Sequence, residues 1–239
     1  MLPFPRLIEY GNIIRDWYAG SLMAFDSTIF KSTSFVDFMG NTIYVSDMNG
    51  AASTAKVSTG TDMIYGPGFE VNFSLIGIKD SAVNVAWIQN SFTLDFWHRQ
   101  KAPGYTYFAP MNGLSTFSGP WAASPKFQYI NDIKFNSRFM IGINSQYYQY
   151  TPYLPFNTAT WTHYCFMYNA ATSTHTFYVN GVLTRTFPSV TVVSPGIQSL
   201  GIAGDVYKDN AANTPILERY RLSSGLKFNT SGFDVSTIY

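Results

Sequence analysis

The run over residues 161–187 constrains the fold more than any other part of the chain. Trp161-Thr162-His163-Tyr164-Cys165-Phe166-Met167-Tyr168 is aromatic and β-branched, and so is Thr174-His175-Thr176-Phe177-Tyr178-Val179. A small polar loop, Asn169-Ala170-Ala171-Thr172-Ser173, separates them. The second run ends in Asn180-Gly181, two residues that both tolerate φ > 0 and so favour a tight two-residue hairpin turn. Residues 182–187 then read as a returning third strand. Three antiparallel strands in succession predict an all-β chain and point to a sandwich.

Strand signals continue on both sides of this meander. Phe92, Leu94 and Phe96 alternate with Thr93, Asp95 and Trp97, as a strand with one buried face requires. Residues 69–78, 82–88, 127–129, 138–144, 147–150, 199–203 and 216–222 read as further strands. Residues 42–64, rich in Ser, Thr, Ala and Gly, suit an exposed hairpin or long loop. Residues 101–126 hold Pro103, Gly104, Pro110, Gly113, Gly119, Pro120 and Pro125, which suits an insertion or long loop. No internal repeat, heptad or amphipathic helix is visible, and 239 residues fit one large β domain. Residues 1–19 stand apart, because Leu7, Ile8, Tyr10, Ile13, Ile14, Trp17 and Tyr18 crowd a short segment. They are expected to form a docking arm, with Ile8, Tyr10, Ile13 and Trp17 gripping either their own domain or a neighbouring subunit. Residues 20–239 are expected to form the sandwich.

Four stretches, in order, resemble one family. Trp161-Thr162-His163 followed by Phe177-Tyr178-Val179-Asn180-Gly181 resembles the "W-x-H…Y-x-N-G" strands of the laminin G-like branch of the concanavalin A-like lectin/glucanase superfamily. Ser91-Phe92-Thr93-Leu94-Asp95-Phe96-Trp97 resembles its "F-T-x-x-F-W" strand. Leu22-Met23-Ala24-Phe25-Asp26, with Phe35-Val36-Asp37-Phe38-Met39-Gly40-Asn41, resembles its opening strand. The tail from Glu218-Arg219-Tyr220-Arg221-Leu222-Ser223-Ser224-Gly225 to Tyr239 is similar to the closing segment seen in phage virion and tail proteins. The resemblance implies a two-sheet antiparallel jelly-roll β-sandwich of concanavalin A-like type.

Composition narrows the partners. Charged residues are 12% of the chain, about half the ~25% of an ordinary soluble domain, and aromatics are 18%. A surface so short of charge is poorly defended against association, which fits a subunit of a multi-copy assembly or homo-oligomer. The net charge of +1 carries no basic run, so nucleic acid is not an expected partner. The N-terminal residues, with Arg6, Glu9, Arg15 and Asp16, read neither as a signal peptide nor as a membrane span, so no membrane insertion is expected. The expected route out of a cell is lysis or incorporation into a particle.

Glucanases of this superfamily carry closely spaced carboxylates for acid and nucleophile roles. Here Glu9, Glu70 and Glu218 are the only glutamates, and none has another acid within four positions. A non-enzymatic chain is therefore expected. Cys165, the single cysteine, shares a strand face with Trp161, His163 and Met167 and reads as a buried thiol. His163 occupies the family's Trp-x-His position, where the resemblance implies a packing role. No cofactor is expected. Calcium is the metal the resemblance brings with it, and Asp205 and Asp209 in Gly204-Asp205-Val206-Tyr207-Lys208-Asp209-Asn210 are its candidate ligands. Sugars stack on Tyr and Trp and hydrogen-bond to amides, which makes Tyr105, Tyr107, Asn112, Trp121 and Tyr148 the candidate carbohydrate-binding residues. The expected function is a structural or adhesion subunit of a virus particle (tail, fibre or capsid decoration), assembled in the host cytoplasm beside other virion subunits and contacting host glycans. A free-standing calcium-dependent lectin is the alternative.

Overall fold

The computed structural model describes residues 17–47, 55–58, 64–71, 74–79, 90–100, 105–108, 127–132, 138–143, 146–150, 160–187, 199–203 and 215–238. The expected meander is present as β12 (Thr162–Asn169), β13 (Thr174–Val179) and β14 (Val182–Phe187), paired antiparallel. Asn180 and Gly181 make the turn at φ 50° and 76°. The Asn180 side-chain oxygen accepts from the His163 amide at 2.9 Å, and its own amide donates to the His163 carbonyl at 2.9 Å. The turn is thereby tied to the adjacent strand.

β12 continues into β7 (Phe92–Gln100), and β7 into β16 (Pro215–Ser224), the last strand of the chain. The far side of β16 pairs with β1 (Ser21–Phe25) and with β5 (Phe69–Glu70), which in turn holds β4 (Lys56–Val57). The second sheet runs β11 (Gln146–Tyr150), β10 (Arg138–Ile143), β9 (Phe127–Asp132), β8 (Tyr105–Phe108), β15 (Ser199–Ala203), β6 (Ser74–Lys79), β3 (Thr42–Asp47) and β2 (Phe35–Val36). Among the described residues each sheet has eight strands, all antiparallel.

Alternation decides which side chains meet between the sheets. Phe92, Leu94 and Phe96 of β7 point inward with Tyr164, Phe166 and Tyr168 of β12, and Phe35, Ile43 and Ile76 reach the same cluster from the second sheet. Aromatic rings run through this core without a gap. Phe30 stacks on Phe69, Phe69 contacts Phe25, Phe25 stacks on Tyr220, Tyr220 on Phe96, Phe96 on Phe166, and Phe166 on Phe177. Each such ring contributes about 2 kcal/mol or more on burial, so much of the aromatic excess belongs to the interior.

Three stretches differ from the sequence expectation. Residues 42–47, read as part of an exposed hairpin or long loop, form β3 within the second sheet with Ile43 fully buried, because Thr-Ile-Tyr-Val alternates despite its polar neighbours. Residues 69–78 are two strands, since the chain leaves one sheet after Glu70 and enters the other at Ser74. Tyr105 to Phe108, read as insertion, is β8 in the middle of the second sheet. The expected strand at 82–88 lies outside the described residues.

The outer face of the first sheet is also a packing surface. Cys165, Met167 and Tyr178 are buried there beneath Phe228 and Phe233 of the C-terminal segment. That segment is pinned to the sheet by Lys227 N donating to Thr93 Oγ1 at 3.0 Å and Tyr178 Oη donating to the Thr230 carbonyl at 2.9 Å. It reaches the meander where Phe233 N donates to the Gly181 carbonyl at 3.0 Å. A Cβ on Gly181 would sit 1.9 Å from the Phe233 carbonyl oxygen, so this glycine serves both the turn and the docked segment. Gly181→Ala is expected to destabilise the domain by roughly 2 to 3 kcal/mol and to raise hydrogen exchange over residues 225–238. Normal protection of that segment in the variant would refute the interlock.

Candidate functional site

Ionisable side chains concentrate on the outer face of the first sheet. Asp95 projects from β7 opposite Arg221 of β16, and the two form a fork-to-fork pair, Nε to Oδ2 and Nη2 to Oδ1, both at 2.9 Å. His163 Nε2 lies 3.5 Å from the same Oδ1, and Arg221 Nη1 donates to the Trp17 carbonyl. Asp95 and His163 are fully buried and Arg221 nearly so. Burial alone would raise the Asp95 pKa, but the Arg221 guanidinium and His163 outweigh it and hold the carboxyl below its usual range. Desolvation lowers the pKa of His163 despite Asp95 beside it, so the ring is neutral near pH 7. Burial pushes the Cys165 thiol well above its ordinary value, which removes the thiolate that nucleophilic chemistry needs.

Glu218 and Arg219 stand one step along β16, where the register against β7 shifts by one residue. Arg219 occupies the bulge at φ 49° and lies with its guanidinium carbon 3.6 Å above the Tyr65 ring centre, with Trp17 farther off at 5.8 Å. Glu218 Oε1 accepts from the Tyr65 amide at 2.9 Å, and Oε2 is buried with no hydrogen-bond partner among the described residues. Burial raises its pKa to about 7 against the pull of the Tyr65 amide and Arg219, and the Asp26 carboxylate adds to the rise. Only 1% of Glu218 is exposed, so a solute has no direct route to it. Among the described residues no group of three or more His, Cys, Asp or Glu is placed to hold a metal ion.

Of the expected arm residues, Trp17 is described, and it is buried on its own domain. Ile8, Tyr10 and Ile13 lie outside the described residues, as do Asn112, Trp121, Asp205 and Asp209. Trp17 meets Phe38 edge-on at 5.8 Å, and Tyr18 stacks on Phe38 at 4.5 Å. Trp17 and Tyr18 therefore pack on their own sandwich.

In the second sheet, register assigns the faces, because directly paired residues of antiparallel strands share one. Ile76, a core residue, pairs with Ile202, Ile202 with Phe108, Phe108 with Tyr129, Tyr129 with Ile141, and Ile141 with Tyr148. Tyr148 thus falls on the inner register. Tyr105 and Tyr107 share the outer one, so the register separates them from Tyr148. Sequence reasoning missed Tyr44, which is on that same outer register and 40% exposed. Its signal was the Thr42-Ile43-Tyr44-Val45 alternation.

A laminin G-type family model, described as concanavalin A-like lectin/glucanases superfamily, matches residues 77–215, more than half of the chain. The chain belongs to that superfamily. No curated protein matches it in sequence. Among solved structures it is similar to the binding domain of botulinum neurotoxin serotype D, with a TM-score of 0.59 and 12% identity over 89% of this chain and 50% of that one. The binding domain of botulinum neurotoxin DC in complex with rat synaptotagmin II gives 0.58 and 13% over 94% and 51%. The same domain in complex with SialylT gives 0.57 and 10% over 87% and 49%. The chain spans about half the length of these binding domains, and the likeness is one of fold. Among the described residues no helix is long and apolar enough to cross a membrane.

Glu218 makes stability depend on pH. Its pKa is about 7 in the folded chain against an ordinary 4.5, so its contribution is complete below pH 4.5 and is lost as pH rises through 7. Denaturant unfolding should show a loss of up to about 3 kcal/mol across that window, and Glu218→Gln should remove this part of the slope. An unchanged slope in the variant would contradict the assignment.

Proposed function

We propose that the chain is a non-enzymatic adhesion and structural subunit of a virus particle, held by one side of the sandwich and contacting host glycans with the other. The observation that carries this reading is the unlike chemistry of the two outer faces. On the first sheet the middle of the outer face is covered by the chain's own residues, with Trp17 and Phe228 beside Arg221 and Phe228 and Phe233 over Cys165, Met167 and Tyr178. On the second sheet the outer register carries Tyr44, Tyr105 and Tyr107, residues suited to stacking on sugar rings.

The virion part rests on the phage-like closing segment from Glu218 onward and on the low charge, which suits a chain packed among neighbours. The non-enzymatic part is supported by the burial of Cys165, His163 and Glu218. The glycan part draws on membership of a lectin-bearing superfamily, and one neurotoxin domain of the same fold is described in complex with SialylT.

Weak single contacts become useful when many copies act together. The chain displayed in multiple copies is expected to bind host cells or their surface polysaccharides, and the monomer only weakly. Removal of residues 1–16, which spares Trp17, is expected to leave a folded domain that no longer joins particles. A folded, multivalent sample that binds no host surface, or a truncated chain that still assembles normally, would count against the respective half of the proposal.

A further inference from the structure

Asn-Gly occurs three times in the chain, at Asn49-Gly50, Asn112-Gly113 and Asn180-Gly181. The first two lie outside the described residues, and the third is the turn between β13 and β14. This dipeptide is chemically labile, because glycine has no side chain to shield its amide nitrogen or to restrict its backbone. The Gly181 nitrogen can attack the Asn180 Cγ, forming an N–Cγ bond while the Cγ–Nδ2 bond breaks and ammonia leaves with the amide proton. Water then opens the succinimide. Cleavage of the new N–Cγ bond gives Asp. Cleavage of the original peptide bond gives an isoaspartyl link, whose main chain runs through Cγ and is longer by the Cβ methylene.

The fold holds the reacting atoms apart. Asn180 Oδ1 accepts from the His163 amide and Asn180 N donates to the His163 carbonyl, both at 2.9 Å. β12 and β14 lie on opposite sides of β13, so these bonds draw the carboxamide one way while Gly181 leads the chain the other. The C-terminal segment clamps both partners. Phe233 N donates to the Gly181 carbonyl at 3.0 Å, and the Phe233 ring meets the His163 ring edge-on at 6.0 Å. The same ring contacts Tyr178 at 5.3 Å and stacks on Phe228 at 4.2 Å. Nothing in this fit is slack, since a Cβ on Gly181 would already meet the Phe233 carbonyl oxygen at 1.9 Å.

We propose that Asn180 is a modification site gated by residues 225–238: the succinimide forms when that segment lifts from the sheet, and the isoaspartyl product keeps it lifted. Lifting frees Gly181 and His163 together, so the carboxamide of Asn180 can swing toward the Gly181 nitrogen. Local opening of this kind costs less than global unfolding, so the reaction proceeds in a folded chain. Once the isoaspartyl link has formed, the added methylene displaces the Gly181 carbonyl from Phe233 N. The Asp product keeps the normal main chain and an oxygen for the His163 amide, so it leaves the segment docked.

The test incubates the full chain in mildly alkaline buffer, native and denaturant-unfolded, and follows the Asn180 peptide by mass spectrometry with isoaspartyl detection. Conversion at Asn180 should be slower in the native chain by about tenfold or more. Phe233→Ala takes the ring out of the clamp, and Tyr178→Phe removes only the hydroxyl bond to the Thr230 carbonyl. Each should speed native conversion about threefold or more. If Phe233→Ala does not fold, Tyr178→Phe decides. In the purified isoaspartyl form, hydrogen exchange over residues 225–238 should rise, while Asn180→Asp keeps the segment protected. Equal rates in native and unfolded chains, or a native rate that the variants leave unmoved, overturn the gate. An isoaspartyl form with residues 225–238 still protected overturns the latch.

Discussion

The Asp95–Arg221 pair is the interaction on which the rest of the first sheet depends. A buried carboxylate and guanidinium tolerate each other only with close geometry and filled hydrogen-bonding capacity, and here the supply comes from four parts of the chain. β7 brings the acid, β16 the base, β12 the His163 ring and the N-terminal segment the Trp17 carbonyl. The pair therefore fixes more than one strand contact. It sets the register of β7 against β16 and ties Trp17, four residues before β1, into the folded domain. Losing either partner would strand a charge in a dry site at a cost of roughly 3–5 kcal/mol, whereas the same residues at a surface would contribute little.

That register is reached through a strained residue. Leu217, Tyr220 and Leu222 all face the core, yet the first interval is odd and strict alternation would turn one of them outward. The bulge at Arg219 absorbs the extra residue at φ 49°, a conformation disfavoured for a long side chain. Stacking of its guanidinium on Tyr65 and the hold of Glu218 on the Tyr65 amide offset the strain. The bulge thus keeps Tyr220 inside the aromatic core and sets Arg221 opposite Asp95, serving both faces of the sheet.

What was legible in the sequence was local. The meander at 161–187 announced itself through turn chemistry and β-branched runs, and β7 through clean alternation around Leu94. Cys165 was readable as buried because its face could be counted from its neighbours. What was hidden depended on partners distant in sequence. Thr42 to Val45 alternates, but its polar surroundings obscure that short signal, and pairing with β6 is what places Ile43 in the core. Tyr105 to Phe108 is flanked by prolines and glycines that speak for a loop. Tyr148 and Tyr107 look alike in composition, and only the ladder across β8, β9, β10 and β11 separates their faces. Trp17 was legible as a gripping residue, but whether it grips its own domain or a neighbour was not, because nothing local reveals a guanidinium seeking its carbonyl.

The charge deficit also changes meaning once the faces are assigned. A chain with 12% charged residues and 18% aromatics looks made for association, yet the rings of the first sheet are consumed on both of its sides. Inward they form the stacked core, and outward Trp17, Tyr178, Phe228 and Phe233 enclose the ion pair and the thiol. The centre of that sheet, packed on both faces, has little left to offer a ligand. The second sheet differs, since Tyr44 on its outer register is 40% exposed. Trp17, Phe228 and Phe233 packed against the first sheet make it a rigid backing, and a rigid backing is what lets the opposite surface hold its shape when the contacts made on it are individually weak.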